Sequence, residues 1–372
     1  MKPYKIIQGD NRLTIPTLKP KSVQTIITSP PYWGLRDYNG EEKQIGREPT
    51  VKEFISTMVD EVFAPLFDVL RDDGTLWLNM GDGYSDGSDG LPAKSLQGVP
   101  WRLAFALQDW GWLLRQEIIW NKPNAMVESV NDRCSKSHEH IFLLTKGPKY
   151  FFDKHAIREL TGNESTPEEY AAALAAAGPA WYQRDANPFE GTGKKSGNKQ
   201  SVTHPDGKGK RTVWNVPTHS YKGAHFATFP PKLIIPCIKA GTSEKGCCAV
   251  CGTPFQRMVD SNRVATRPGK NTKCDYSELK AKNKELSYGN RDPQRHISIV
   301  KTTGWAPGCA CGDINKGKPC VVLDPFHGSG TTMATAVRLN RRAIGLELSA
   351  EYIELSLTRV EKSLERKGFG LT

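Results

Sequence analysis

Apolar and polar positions follow two alternating periods along this chain of 372 residues. Short apolar runs of strand length occur at Tyr4-Lys5-Ile6-Ile7, Val23-Gln24-Thr25-Ile26-Ile27, Thr75-Leu76-Trp77-Leu78-Asn79, Gln116-Glu117-Ile118-Ile119-Trp120 and His140-Ile141-Phe142-Leu143-Leu144. Phe54, Ile55, Met58, Val62, Phe63, Leu66, Phe67 and Leu70 recur at helical spacing and predict a helix over 51–70. A second helix is expected near 100–109. The pattern resumes after Pro319 with a strand over Val321–Asp324, a helix over Thr331–Leu339 and a strand over Ala343–Glu347. Strands alternating with helices predict an α/β sheet.

The middle of the chain breaks this rhythm. Thr166-Pro167-Glu168-Glu169 reads as a capping box with proline in the first turn, and the alanine-rich helix it opens should stop at Gly178-Pro179. Residues 191–222 hold seven basic residues (Lys194, Lys195, Lys199, Lys208, Lys210, Arg211 and Lys222) against one acid, Asp206. Such a segment cannot bury enough apolar surface to order itself, so it is either a linker or an arm that orders on nucleic-acid phosphates. Residues 261–300 are again polar and lysine-rich and read as an insertion. The net charge of +11 favours an acidic partner. No run of 18 apolar residues predicts a membrane span, and Met1-Lys2-Pro3-Tyr4-Lys5 has no apolar stretch behind it, which predicts a cytoplasmic protein without a signal peptide.

Two strings carry the candidate chemistry. In Asp324-Pro325-Phe326-His327-Gly328-Ser329-Gly330-Thr331-Thr332, a strand ends in an acid and a glycine turn leads into a helix. The turn lacks the third glycine of a dinucleotide fingerprint and the lysine of a phosphate loop. Glu347 ends the next strand, about 20 residues on, where an acid accepts from ribose hydroxyls. A ligand with a ribose and no phosphate fits this set: S-adenosyl-L-methionine.

The other string, Thr28-Ser29-Pro30-Pro31-Tyr32, follows a strand that proline forbids to continue. An exocyclic amine has its lone pair delocalised into the ring. Acceptors on its two hydrogens pull the nitrogen toward sp³ geometry and take up developing positive charge. Ser29 Oγ and the Pro30 carbonyl are such acceptors, Pro31 helps fix the carbonyl direction, and Tyr32 offers a face on which an extruded base can stack. Trp33 is a further candidate wall. The string contains no strong general base, and the proton is expected to leave after methyl transfer.

With both strings present, the chain resembles the bacterial and phage DNA amino-methyltransferases that make N4-methylcytosine or N6-methyladenine. The catalytic string precedes the cofactor loop, as in the circularly permuted β group. The resemblance implies a Rossmann-like methyltransferase sheet and covers roughly 1–150, 212–242 and 320–363. It implies that Asp10 meets the adenine of the cofactor and that His225-Phe226-Ala227-Thr228-Phe229-Pro230 lines the methionine end, with Phe229 in contact. It further implies that Asp324, Phe326, Gly328, Ser329, Gly330 and Thr331 form the cofactor loop and that Glu347 takes the ribose. Serine at the first catalytic position is the form more often seen with N4 of cytosine; N6 of adenine is the alternative. A protein-glutamine methyltransferase also presents an amide to such a pocket, but usually places the cofactor loop first. The expected partner is double-stranded DNA, with a cognate restriction endonuclease as a further one, and the protein works as a monomer or a homodimer.

Nine cysteines in a cytosolic chain do not suggest a disulfide framework. Cys248 and Cys251 form one local pair and Cys309 and Cys311 a second, 57 residues of loop apart, which suits a tetrahedral structural zinc. Cys247 could replace Cys248, and Cys274 is a weaker candidate. The Pro-Cys pairs at Cys237 and Cys320 lie outside the catalytic slot, which argues against cytosine C5 chemistry. The expected organisation is a catalytic half over 1–150, a target-recognition arm over 151–224, a cofactor-lining segment over 225–242, a zinc insertion over 243–319 and a cofactor half over 320–372. Lys194, Lys195, Lys208, Lys210 and Arg211 are the candidate DNA contacts.

Overall fold

The computed structural model describes residues 2–34, 44–160, 206–218, 229–265, 296–311 and 316–365. The first part of the chain gives β1 (Tyr4–Gln8), α1 (Asn11–Thr14), β2 (Val23–Thr28), α2 (Val51–Thr57), α3 (Ala64–Val69), β3 (Leu70–Met80), α4 (Val99–Trp110), β4 (Leu113–Asn121) and β5 (His138–Thr145). The rest gives β6 (Val213–Asn215), α5 (Pro231–Gly241), β7 (Cys247–Cys248), β8 (Gln256–Ala265), β9 (His296–Ala306), β10 (Gly317–Lys318), β11 (Val321–Asp324), α6 (Thr331–Arg338), β12 (Arg342–Glu347) and α7 (Ala350–Glu365). The helix expected after Thr166 lies outside the described residues.

Eight strands form one sheet in the order β1-β12-β11-β2-β3-β5-β4-β6. The first five run parallel, β5 is antiparallel to both β3 and β4, and β6 is parallel to β4. All six residues of β2 are buried, and its three polar ones, Gln24, Thr25 and Thr28, are each hydrogen-bonded. Neighbouring residues feed opposite layers, as the two-residue period of a strand requires. Ile26, Leu76, Leu78, Phe142 and Leu144 pack with Phe54, Phe63, Leu66 and Leu103 from α2, the segment between α2 and α3, α3 and α4. Ile27, Trp77, Ile141 and Leu143 pack with Leu233, Ile238, Val337 and Val360 from α5, α6 and α7 on the other face.

The helix expected over 51–70 is not one regular rod. Between α2 and α3 lies a wide turn, Met58–Phe63, in which the Ala64 N–H reaches back to the Val59 carbonyl. Pro65, which follows, has no N–H to give, and the helical spacing of the apolar residues survives the irregularity.

The chain divides into two compact units: Met1–Ile157, Arg211–Arg257 and Trp305–Thr372 form one, and Arg158–Lys210 with Met258–Gly304 form the other. The segments expected as a recognition arm, 151–224, and as an insertion, 243–319, therefore each contribute to both. Inside the second unit, Glu159 and Lys208 exchange backbone hydrogen bonds of 2.8 and 2.9 Å, and Asp206 accepts the Val300 N–H at 2.6 Å. No helix among the described residues is long and apolar enough to cross a membrane.

Candidate active site

The fold brings the two strings together. β2 and β11 are adjacent and parallel, with Thr25 opposite Val322 and Ile26 opposite Leu323, so their C-terminal ends emerge on one edge of the sheet. There the Thr28 hydroxyl donates to Asp324 Oδ1 at 2.9 Å. Asp324 also accepts the Phe326 N–H at 3.1 Å. Burial lifts its carboxyl to about 7, although the Thr332 and Thr28 hydroxyls and the Phe326 N–H hold it back.

The glycine turn is shaped by its neighbours. Gly330 has φ +78° and precedes α6, and a Cβ there would stand 2.7 Å from Ser356 Cβ. Gly328 has φ +50°, and a Cβ on it would meet nothing nearer than the Phe326 carbonyl at 4.0 Å, so the backbone here faces open space. Glu347 accepts the N–H groups of Gly328 at 2.7 Å and Ser349 at 2.9 Å, and burial raises its carboxyl above the usual range. Gln8 of β1 pairs with Glu347, which sets Asp10 at the same edge. Asp10 caps α1 and is gripped by Arg12, with Nε at 3.0 Å and Nη2 at 2.5 Å; burial raises this carboxyl, but the Arg12 bonds outweigh it and hold it low. Ser329 is buried and its hydroxyl accepts from Arg359 of α7 at 2.9 Å; Thr331 is buried too, its hydroxyl without a partner among the described residues. Phe326 packs half-buried against the inner core, and Phe229 lies half-buried against the cluster beneath α5. His225 to Thr228 lie outside the described residues.

Two residues that the sequence reading passed over complete this side. Asn11 ties the end of β1 to the loop by donating to the Pro325 carbonyl at 3.1 Å. His327 is buried with neither ring nitrogen partnered among the described residues, and burial and the Arg359 charge lower its pKa to about 4. Two carboxylates on paired strands and an open glycine turn form a donor set that fits S-adenosylmethionine.

The amino pocket holds more than its motif. Ser29 is half-exposed, Pro30 is buried, and among the described residues no protein group donates to the Pro30 carbonyl. Tyr32 turns its hydroxyl inward, where it donates to Glu139 Oε2 at 2.7 Å; burial, then the Glu139 charge, raises this phenol well above its ordinary pKa. Asn79 of β3 donates to the Tyr32 hydroxyl at 3.0 Å and to Glu139 Oε2 at 2.8 Å, and Lys122 pairs with Glu139 Oε1. Gly81 makes room for the ring, since a Cβ there would sit 2.7 Å from Tyr32 Cε2. No other aromatic ring among the described residues stacks on Tyr32. Trp33 belongs to the core and donates to the Glu48 carbonyl at 2.8 Å. Asn79, Lys122 and Glu139 carried no motif; a carboxylate at the entrance to an apolar strand was the available signal for Glu139.

The sulfurs of Cys248, Cys251, Cys309 and Cys311 all lie within 4.8 Å of one another. Thiolates on one tetrahedral zinc are about 3.8 Å apart, so this set fits the ion after a small contraction. Cys247 points elsewhere, toward the Lys318 carbonyl at 3.4 Å. Cys274 lies outside the described residues. Arg71 and Gln24 fasten the knuckle to the sheet: Arg71 donates to Thr253 Oγ1 at 3.0 Å and Gln24 to the Gly252 carbonyl at 2.8 Å. Both grip the N-terminal ends of β2 and β3, the edge opposite Ser29.

Of the candidate DNA contacts, Lys194 and Lys195 lie outside the described residues. Lys208 is exposed, Lys210 lies 3.4 Å from Glu159, and Arg211 lines an open hollow with Thr212, Val213 and Asn215 beside β6.

An α/β sheet with paired acids and a glycine turn on one edge fits an enzyme that holds a nucleoside cofactor, as methyltransferases do. Residues 23–249 and 317–358 match the N6/N4 methyltransferase family, described as DNA methylase. The Type II methyltransferase M.XycI of Xanthomonas campestris pv. cyanopsidis is 35% identical over 96% of this chain and 87% of its own length. M.SmaI of Serratia marcescens is 34% identical over 96% of the chain and 90% of its own length. The solved PvuII DNA methyltransferase, described as cytosine-N4-specific, shares the fold at a TM-score of 0.54 and 14% identity, covering 98% of this chain and 91% of that one. The chain belongs to the N6/N4 DNA methylase family.

Proposed function

We propose that this DNA methyltransferase transfers a methyl group to the exocyclic N4 of cytosine in double-stranded DNA, with S-adenosyl-L-methionine as donor. The observation that carries the reading is the Thr28–Asp324 hydrogen bond, which fixes the serine of the amino pocket beside the cofactor loop. Asp10, Phe229, Asp324, Phe326, Gly328, Ser329, Gly330, Thr331 and Glu347 would hold the cofactor, which supplies a methyl group activated on sulfur. Ser29 Oγ and the Pro30 carbonyl accept from the amino group of a flipped cytosine and turn its lone pair outward. Pro31 fixes that carbonyl and the Tyr32 ring, on which no other aromatic ring among the described residues stacks, receives the base. No covalent bond to the protein is required. Serine at position 29 supports cytosine over adenine.

Lys194, Lys195, Lys208, Lys210 and Arg211 would neutralise phosphates, with base readout from 151–224 and the insertion. The four clustered cysteines would hold a structural zinc, read out by metal analysis of the purified protein. A restriction endonuclease of the same specificity is the expected cellular companion, as the Type II names of the relatives suggest. Nucleoside mass spectrometry of unmodified duplex DNA tests the reaction. N4-methylcytosine that disappears with Ser29→Ala supports it, N6-methyladenine reverses the base assignment, and no methylated base rejects the function.

A further inference from the structure

The catalytic string offers no acceptor for the proton that the methylated nitrogen must shed, but the pocket around it does. Ser29 Oγ lies 3.4 Å from the Tyr32 hydroxyl, which donates to Glu139 Oε2 at 2.7 Å. A carboxylate only accepts, so Tyr32 spends its single hydrogen on Glu139. The phenol oxygen is then left to receive, from Asn79 at 3.0 Å and from the Ser29 hydroxyl. The hydroxyl hydrogens of the row therefore point toward Glu139, and of the two lone pairs of Ser29 Oγ one faces the Asn79 amide at 3.4 Å and the other remains for the pocket. The Glu139 side chain is 13% exposed and the paired Lys122 18%, so the row ends within reach of water.

We propose that Glu139 is the positioning residue that receives the reaction's proton, acting through Tyr32 and Ser29. This rests on the reading of the pocket as an amine site. As the N–C bond forms and the C–S bond breaks, positive charge passes from sulfur to the target nitrogen. One N–H proton moves to Ser29 Oγ, the Ser29 proton moves to Tyr32 Oη, and the Tyr32 proton moves to Glu139 Oε2. The products are a neutral methylated base, a neutral thioether and a protonated Glu139, which returns its proton to water. The groups that face Glu139 are Tyr32 after β2, Asn79 of β3, Lys122 after β4 and Lys136 before β5, whose ammonium burial weakens.

The test is single-turnover methylation of duplex DNA by the wild type, Glu139→Gln and Tyr32→Phe, from mildly acidic to mildly alkaline pH, with DNA affinity measured alongside by fluorescence anisotropy. The expected result is a rate loss of about 10²-fold or more in both variants, within the range of general acid–base catalysis, with DNA affinity unchanged. In Glu139→Gln the residual rate should climb with pH, because hydroxide replaces the missing acceptor. A variant rate equal to that of the wild type, or a loss that is flat with pH or tracks lost DNA affinity, overturns the relay. Tyr32→Phe keeps the ring and decides the matter if Glu139→Gln fails to fold. A wild type that methylates nothing defeats the functional reading, and the relay with it; a methylating wild type with unaffected variants defeats the relay alone.

Discussion

The cofactor loop and the amino pocket sit side by side, yet they are built in different ways. The loop is closed by its own short stretch: Gly328 bonds Glu347, Phe326 bonds Asp324, and the His327 N–H reaches the Leu346 carbonyl at 3.0 Å. The pocket takes Ser29 and Tyr32 from one turn, Asn79 from β3, Lys122 from the end of β4 and Glu139 from β5, and the Tyr32–Glu139 bond spans 107 residues. The loop's own bonds stay within about 20 residues, with Asn11, Thr28 and Arg359 adding ties from outside it. An assembled pocket depends on the register of three strands, and can be adjusted or broken from several distant positions.

The sharpest break is Ser29→Ala. Removing one preorganised polar partner of a reacting group costs about 10²–10³-fold in rate. Single-turnover methylation should fall by that much, while isothermal titration finds S-adenosylmethionine affinity unchanged. Loss of the proposed zinc probes neither region: chelation or Cys251→Ser should lower the melting temperature by several degrees, with the methylation rate per folded molecule preserved. Two glycines then set loop against pocket. Gly330→Ala forces a Cβ to 2.7 Å from Ser356 Cβ, and Gly81→Ala forces one to 2.7 Å from Tyr32 Cε2. Each should cost about 1–3 kcal/mol of stability by overpacking. Gly330→Ala should weaken cofactor binding, whereas Gly81→Ala should lower kcat and leave that binding intact; the reverse assignment would break the comparison.

The smallest effect concerns the bond between the two regions. Asp324 has a folded pKa of about 7, against about 3.9 for an unfolded aspartate. The folded state thus retains a proton that the unfolded chain loses. The stability this contributes is complete below about pH 4 and is lost as pH rises through 7. Asn at 324 can still accept from Thr28 and Phe326. Melting curves of the cofactor-free protein should show Asp324→Asn gaining on the wild type as pH rises, and levelling off once Asp324 is ionised.

What the sequence disclosed follows the same division. The strand, acid, glycine turn and helix of Val321–Glu347 are local, so their residues predict their geometry almost to the boundary. β2 with its proline stop was equally plain. Asn79, Lys122 and Glu139 were not, because each is an ordinary polar residue until strand pairing places it against Tyr32. α5 escaped notice because Pro236 interrupts it and Pro230 and Pro231 open it, which hides the helical period in a proline-rich segment. β6 lay within a basic stretch, and its single buried residue, Trp214, is too little apolar signal for a strand. The cysteine spacing anticipated the cluster, but only the fold separates Cys248 from its neighbour Cys247.

Gln24 holds both the Gly252 carbonyl and, at 2.6 Å, the Val321 N–H, so the knuckle is bolted to the roots of the strands whose far ends carry Ser29 and Asp324. Four residues of extended strand, Thr25–Thr28, separate Gln24 from Ser29, roughly 17 Å at the rise of a β-strand. For an engineer the knuckle edge is therefore a handle. A fusion partner, a dye or a tether to a solid support grafted there would stay clear of the edge that carries Ser29 and Asp324, and an immobilised form of the protein should be built from that side.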